Sequence, residues 1–181
     1  MGSNTMIPEA VCVPLISRME IDAAVERLSR EINRDYHGKN PLLIGILKGC
    51  FVFMADLVRQ LRLPVEIDFA RLASYGAGSE SSGKVVMTKD IETSIKGKDI
   101  LIVEDILDTG LTMQYFLEWM KERNPRSIKT CVFLDKSKRR KVSLEADYIG
   151  FTIEDGFVVG YGLDFNEKYR FSPDIYVIKQ E

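Results

Sequence analysis

Two unbroken aliphatic runs, LLIGIL (42–47) and ILIV (100–103), restrict the fold of this chain more than any other feature. A strand that is apolar at every position has no face to give to water, so it belongs in a parallel sheet covered on both sides. Each run leads toward a stretch with helical spacing. FVFMADLVRQLRL reads as a helix ended by Pro64, and LTMQYFLEWMKERN as a mostly buried helix stopped by Pro125. Upstream, Ser17 with Glu20 three residues on forms a capping-box pattern, and Ile21, Val25, Leu28 and Ile32 recur behind it until the pattern fades near Tyr36. VEIDFARLAS alternates as a strand, VVMT supplies another, and shorter strands are predicted near 128–134, 147–151, 157–162 and 174–178. Strands alternating with helices over the first two thirds indicate an α/β domain with a parallel sheet. The strand-rich tail suggests a small appendage, and 181 residues fit one domain.

A hydrophobic content of 45% with 29% charged residues describes a globular chain and argues against disorder. The net charge of −2 offers no general field for nucleic acid, so any anion site must be local. Cys12, Cys50 and Cys131 lack metal-ligand spacing and read as free thiols of a reducing compartment. The single histidine, His37, excludes a mechanism needing two and sits in a polar stretch expected to be solvated. No apolar run approaches membrane-spanning length, and no basic-then-apolar leader is visible, so a cytoplasmic location is expected.

The chemistry concentrates in ILIVEDILDTGLT (100–112). Ligands of parallel sheets gather at the carboxyl ends of strands, where Glu104 and Asp105 emerge. A helix expected to begin near Leu111 turns its free N–H groups and dipole toward the same place. Thr109, Gly110 and Thr112 are small enough to let an anion reach the backbone, and the two hydroxyls add donors. Ionised carboxylates only accept hydrogen bonds, so they require hydroxyls, a metal ion or an acidic N–H as partners. A ribose phosphate supplies both a phosphate and a diol.

VEDILDTGLT resembles the phosphoribosyl pyrophosphate signature of the type I phosphoribosyltransferase family. LLIGILKGCFVFMADL, SYGAGSESSGKV, LDKSKRR and FVVGYGLDFNEKYR resemble, in order, segments of its bacterial hypoxanthine-guanine branch, over about 42–170. The resemblance implies a central, mainly parallel sheet flanked by helices, with a hood from the N-terminal segment and about 135–181. It implies transfer of the phosphoribosyl group to hypoxanthine or guanine, giving IMP or GMP and pyrophosphate. Mg²⁺ is the implied cofactor, a homodimer or homotetramer the implied assembly, and neither nucleic acid nor membrane an expected partner.

The same resemblance assigns residues. Glu104 and Asp105 would hold the ribose, Asp108, Thr109, Gly110, Leu111 and Thr112 the 5′-phosphate, and Asp108 would be the general base at the purine imidazole nitrogen. Leu47, Lys48 and Gly49 match a pyrophosphate loop with an expected cis peptide before the lysine, and Arg170 a further pyrophosphate contact. Read without the family, Leu-Lys-Gly after a strand is a turn bearing one cation. Ser74 and Tyr75 begin a Gly/Ser-rich segment (74–84) that matches a lid. Lys136 would donate to the purine 6-oxo group, Phe157 would stack on the ring, and Val158 would offer backbone contacts. Asp164 lies against the purine and matches a magnesium ligand, with Glu104 and Asp105 as further candidates. By itself Phe157 suits a core as well as a stacking platform. The basic run KSKRRK (136–141) also admits a regulator that binds nucleic acid, although such runs are more often solvated faces. A pyrimidine or adenine transferase is disfavoured by Lys136 and FVVGYGLD.

Overall fold

The computed structural model describes residues 12–75 and 84–179. A six-stranded sheet forms its centre, in the order β4-β3-β2-β5-β6-β7. Its strands are β2 (Leu42–Leu47), β3 (Glu66–Tyr75), β4 (Lys84–Lys89), β5 (Asp99–Leu107), β6 (Ser127–Asp135) and β7 (Tyr148–Thr152). All neighbours run parallel except β3 and β4. A second, antiparallel sheet is built from both ends of the chain: β1 (Cys12–Ile16), β9 (Ile175–Ile178) and β8 (Phe157–Val159), in that order.

The double-sided burial follows from the sequence. Leu43, Leu101, Val103, Cys131 and Phe133 point to one face and meet α1 (Arg18–Asp35) and α2 (Phe51–Gln60). Leu42, Ile44, Ile100, Ile102 and Val132 point to the other and meet Met113, Phe116 and Met120 of α3 (Leu111–Lys121). The capping box forms: Ser17 Oγ accepts from the Glu20 N–H, and the Glu20 carboxylate accepts from the Ser17 N–H. No helix among the described residues is long and apolar enough to cross a membrane. All three cysteines are buried and free, and His37 is exposed.

Three boundaries differ from the sequence expectation. Helix α2 stops at Gln60, before Pro64, because Asn33 of α1 captures its end: Asn33 Oδ1 accepts from the Arg62 N–H. Helix α3 stops at Lys121, and its last turns close through Arg123 and Asn124, the latter at φ 53°. The strand expected over 157–162 ends at Val159, since Gly160, Tyr161 and Gly162 all adopt positive φ and fold the chain back. Tyr161 accepts that left-handed conformation because its ring is buried and its hydroxyl donates to Asp56 of α2 at 2.9 Å. Asp56 keeps Arg18 and Arg59 as partners, so Tyr161→Phe is expected to cost only about 1–2 kcal/mol, read as a shift in urea midpoint. Of the expected lid, Ser74 and Tyr75 end β3, and 76–83 lie outside the described residues.

Candidate active site

Strand β5 runs four residues past the ILIV run (100–103), to Leu107, so Glu104 and Asp105 lie within its end and Asp108 just beyond it. Gly110 follows at φ 83°, a left-handed conformation that turns the chain from strand into helix. Gly110 at the N-cap has no side chain to cap α3; the Leu111 N–H donates to Thr109 Oγ1 at 3.5 Å, and the next N–H groups of the first turn point out of the helix start. Glu104, Ile106, Leu107, Asp108, Thr109, Gly110, Thr112 and Met113 line a cavity of ≈ 120 Å³ at this point. Leu111 is half-buried in the first turn. The predicted phosphate segment therefore surrounds one hollow.

The two acids of the segment differ in surroundings. Glu104 Oε2 is buried with no hydrogen-bond partner. Burial, and then the neighbouring Asp105 charge, raises the Glu104 pKa well above the usual carboxylate range. Asp105 is 9% exposed, and burial pushes it up to about 6 against the opposing pull of Arg170. Glu104 and Asp105 share a hydrogen bond, and the remaining Glu104 oxygen has the chemistry to accept from a hydroxyl or to ligate a cation.

Asp105 lies directly over Gly49. A Cβ at Gly49 would stand 1.7 Å from Asp105 Oδ2, while one at Gly162 (φ 96°) would stand 2.2 Å from the Gly49 carbonyl oxygen. The Lys48-Gly49 turn is thus wedged between β5 and the 160–170 segment, and the Leu47-Lys48 peptide is cis, as the resemblance implies. Lys48 Nζ pairs with Glu167 at 2.8 Å. Arg170 donates to the Gly162 carbonyl at 2.7 Å and pairs with Asp164 at 2.6 Å. Glu104, Asp105 and Asp164 do not assemble into a group of three metal-ligating side chains among the described residues, since Asp164 is held by Arg170.

On the other side of Asp108, Lys136 is buried (4% exposed) and donates to the Gly156 carbonyl at 2.7 Å. Its Nζ lies 4.0 Å from Asp108 Oδ2, and burial lowers its pKa. Arg139 Nε stands 3.2 Å from Asp108 Oδ1 without hydrogen-bond alignment, so that oxygen is buried and unpartnered. Phe157 is 44% exposed and meets Phe165 edge-on at 5.3 Å, which places it outside the core. Val158 is buried in β8, the edge strand of the small sheet, whose outer backbone rim has no strand beside it among the described residues. Cys50 next to the turn is buried and its thiol pKa is driven upward by burial, so it is no nucleophile.

Sequence reasoning missed two features. Glu167, the partner of Lys48, has no local signature. In the run KSKRRK, Ser137, Lys138, Arg139 and Lys141 are exposed as expected, and the departure is Arg140, which pairs with Asp135 and donates to the Asp108 carbonyl. Nothing in a string of basic residues marks which one turns inward.

The family model described as the phosphoribosyl transferase domain matches residues 17–166. The hypoxanthine-guanine phosphoribosyltransferase of Bacillus subtilis is 47% identical over 165 residues, 91% of this chain and 92% of that protein. A crystal structure of a hypoxanthine phosphoribosyltransferase from Staphylococcus aureus superimposes with a TM-score of 0.93 at 40% identity, covering 98% of this chain and 97% of that one. The bifunctional protein TilS/HprT of Listeria innocua is 43% identical over 180 residues, and there the chain spans 28% of the relative's length. With most of its length matched by the family model and by full-length relatives alike, the chain belongs to the phosphoribosyltransferase family, in its hypoxanthine-guanine branch.

Proposed function

We propose that the chain transfers the 5-phosphoribosyl group from phosphoribosyl pyrophosphate to hypoxanthine or guanine, giving IMP or GMP and pyrophosphate. The observation that carries this reading is the cavity at the end of β5, where a helix start without a side chain at its N-cap and two threonines adjoin Glu104, one of whose oxygens is buried without a partner. In the reaction the bond between the anomeric carbon and the pyrophosphate oxygen breaks, and its electrons leave with pyrophosphate. The purine imidazole nitrogen bonds to that carbon and gives up its proton to Asp108. The amides and hydroxyls of 109–112 hold the 5′-phosphate, and Glu104 and Asp105 accept from the ribose hydroxyls. Lys48, Gly49 and Arg170 receive the pyrophosphate, whose arrival exchanges the Glu167 and Asp164 partners of those two cations.

At the base, Lys136 donates to the 6-oxo oxygen and Phe157 stacks on the ring. An adenine 6-amino group cannot accept from a lysine, which sets the purine preference. Mg²⁺ binds through one or two carboxylates plus substrate oxygens, so it would be held either by Glu104 and Asp105 or by Asp164 once Arg170 turns to the pyrophosphate, and not by all three together. When bound, it neutralises charge on the pyrophosphate. The regulator alternative loses support from KSKRRK, where Lys138 pairs with Glu154 and Arg139 and Arg140 pair with Asp155 and Asp135. A cytoplasmic homo-oligomer completes this reading, and sedimentation of the purified chain tests the assembly.

The decisive assay supplies Mg²⁺, phosphoribosyl pyrophosphate and one of hypoxanthine, guanine or adenine. IMP and GMP are expected, with AMP absent; formation of AMP or of no nucleotide contradicts the proposal. Lys136→Ala is expected to raise the KM for hypoxanthine and guanine about 10–100-fold, the weight of a hydrogen bond to a charged group. An unchanged KM places that lysine outside the base site.

A further inference from the structure

Three consecutive carbonyls of the phosphate segment are engaged from behind by one stretch of chain. The Leu107 carbonyl accepts from the Lys136 N–H at 2.9 Å, the Asp108 carbonyl from Arg140 Nη1 at 2.7 Å, and the Thr109 carbonyl from the Lys141 N–H at 2.9 Å. In a planar trans peptide the N–H points opposite to the C=O. Holding those carbonyls outward therefore turns the N–H groups of Asp108, Thr109 and Gly110 toward the cavity side. Two of the three clamps are backbone groups, present whatever the side chains. The middle one depends on a single guanidinium.

That guanidinium is itself fixed. Arg140 is nearly buried, and its Nη2 pairs with the carboxylate of Asp135, the last residue of β6, which lies opposite Leu107 in the sheet. Its Cδ and Val142 Cγ2 press against the Cα of Gly110, where an added Cβ would stand 2.8 and 2.7 Å from them. A planar fork bridges a carboxylate and a carbonyl at once, whereas a lysine ammonium on a shorter reach acts as a point charge.

We propose that Arg140 is a positioning residue for binding of the sugar phosphate: it holds the Asp108 carbonyl outward, and so keeps the loop amides aimed at the 5′-phosphate. The assignment rests on the transferase reading above. It acts on the phosphate end and leaves the base end, served by Lys136 and Phe157, untouched.

The test uses Arg140→Lys and Arg140→Gln in the full chain, with melting temperature, kcat and both KM values measured. Arg140→Lys keeps a cation beside Asp135 and is expected to melt near the unaltered protein, yet to raise the KM for phosphoribosyl pyrophosphate about tenfold with the hypoxanthine KM little changed, whatever the accompanying fall in kcat from the loosened Asp108 backbone. Arg140→Gln strips the charge from buried Asp135 and is expected to show the same KM split together with a lower melting temperature. Loss of folded enzyme changes kcat and leaves both KM values alone, so the ratio of the two KM values decides even for an unstable variant. If neither variant shifts that ratio in an active enzyme, the role of Arg140 is purely structural and the assignment falls alone. An unaltered protein that forms no nucleotide overturns the assignment and the transferase reading together.

Discussion

Asp108→Asn is expected to lower kcat by about 10²–10⁴-fold while the KM for phosphoribosyl pyrophosphate stays within a few-fold of the unaltered enzyme. The substitution is nearly isosteric, and the Asp108 main chain remains clamped through its carbonyl, so the phosphate segment keeps its course. What disappears is the carboxylate proposed above to take the purine proton. The Asp108 side chain stands between Lys136 Nζ at 4.0 Å and Arg139 Nε at 3.2 Å, with one oxygen buried and without a hydrogen-bond partner. That oxygen is ion-paired to Arg139 but not hydrogen-bonded, so it keeps a lone pair to offer the purine proton in the proposed reaction. Steady-state kinetics with hypoxanthine separate the two roles: equal losses in kcat and in phosphoribosyl pyrophosphate affinity would make Asp108 a phosphate ligand and nothing more.

The second large effect comes from a residue with no chemistry of its own. Gly49→Ala places a methyl 1.7 Å from Asp105 Oδ2 and 2.5 Å from its carboxyl carbon, and neither wall has room to yield. Asp105 is anchored in β5, and on the other side the Gly49 carbonyl already touches the Gly162 backbone. The turn or the carboxylate must move on the order of 1 Å, a displacement worth roughly a hundredfold in rate at a reacting centre. Overpacking adds about 1–3 kcal/mol of destabilisation. We therefore expect Gly49→Ala to fold with a melting temperature lowered by several degrees, and to lose about a hundredfold in kcat/KM for phosphoribosyl pyrophosphate. Full activity in that variant would show that Asp105 and the Lys48-Gly49 turn are not parts of one site.

Features set by local pattern were legible in the sequence. LLIGIL and ILIV are apolar at every step because both faces are covered, and Ser17 and Glu20 satisfy each other within one turn. The E-D-x-x-D-T-G-x-T order marks a strand end and helix start whatever surrounds it, and the cavity forms there. Features set by distant partners were not legible. Helix α2 ends where Asn33, from the preceding helix, accepts from the N–H of Arg62, two residues past its last residue. FVVGYG looks like a continuing strand, and only the buried Tyr161–Asp56 contact, 105 residues apart in sequence, reveals the reversal at 160–162. Arg140 reads like its basic neighbours until Asp135 and the Asp108 carbonyl are seen on either side of it. Charge and periodicity report what a residue is suited to, and the long-range pair decides which of several equivalent residues is used.

The central claim is a partition of one ligand between two kinds of group at the end of β5, with the phosphate on the amides and hydroxyls of 109–112 and the sugar rim on Glu104 and Asp105. A crystal structure of the chain with IMP tests it most directly. The account predicts the 5′-phosphate within hydrogen-bonding distance of the Thr109, Gly110 and Thr112 amides, with the ribose hydroxyls donating to the two carboxylates. A phosphate seated on Lys48 and Arg170 instead, with Glu104 and Asp105 left without a sugar contact, would contradict it.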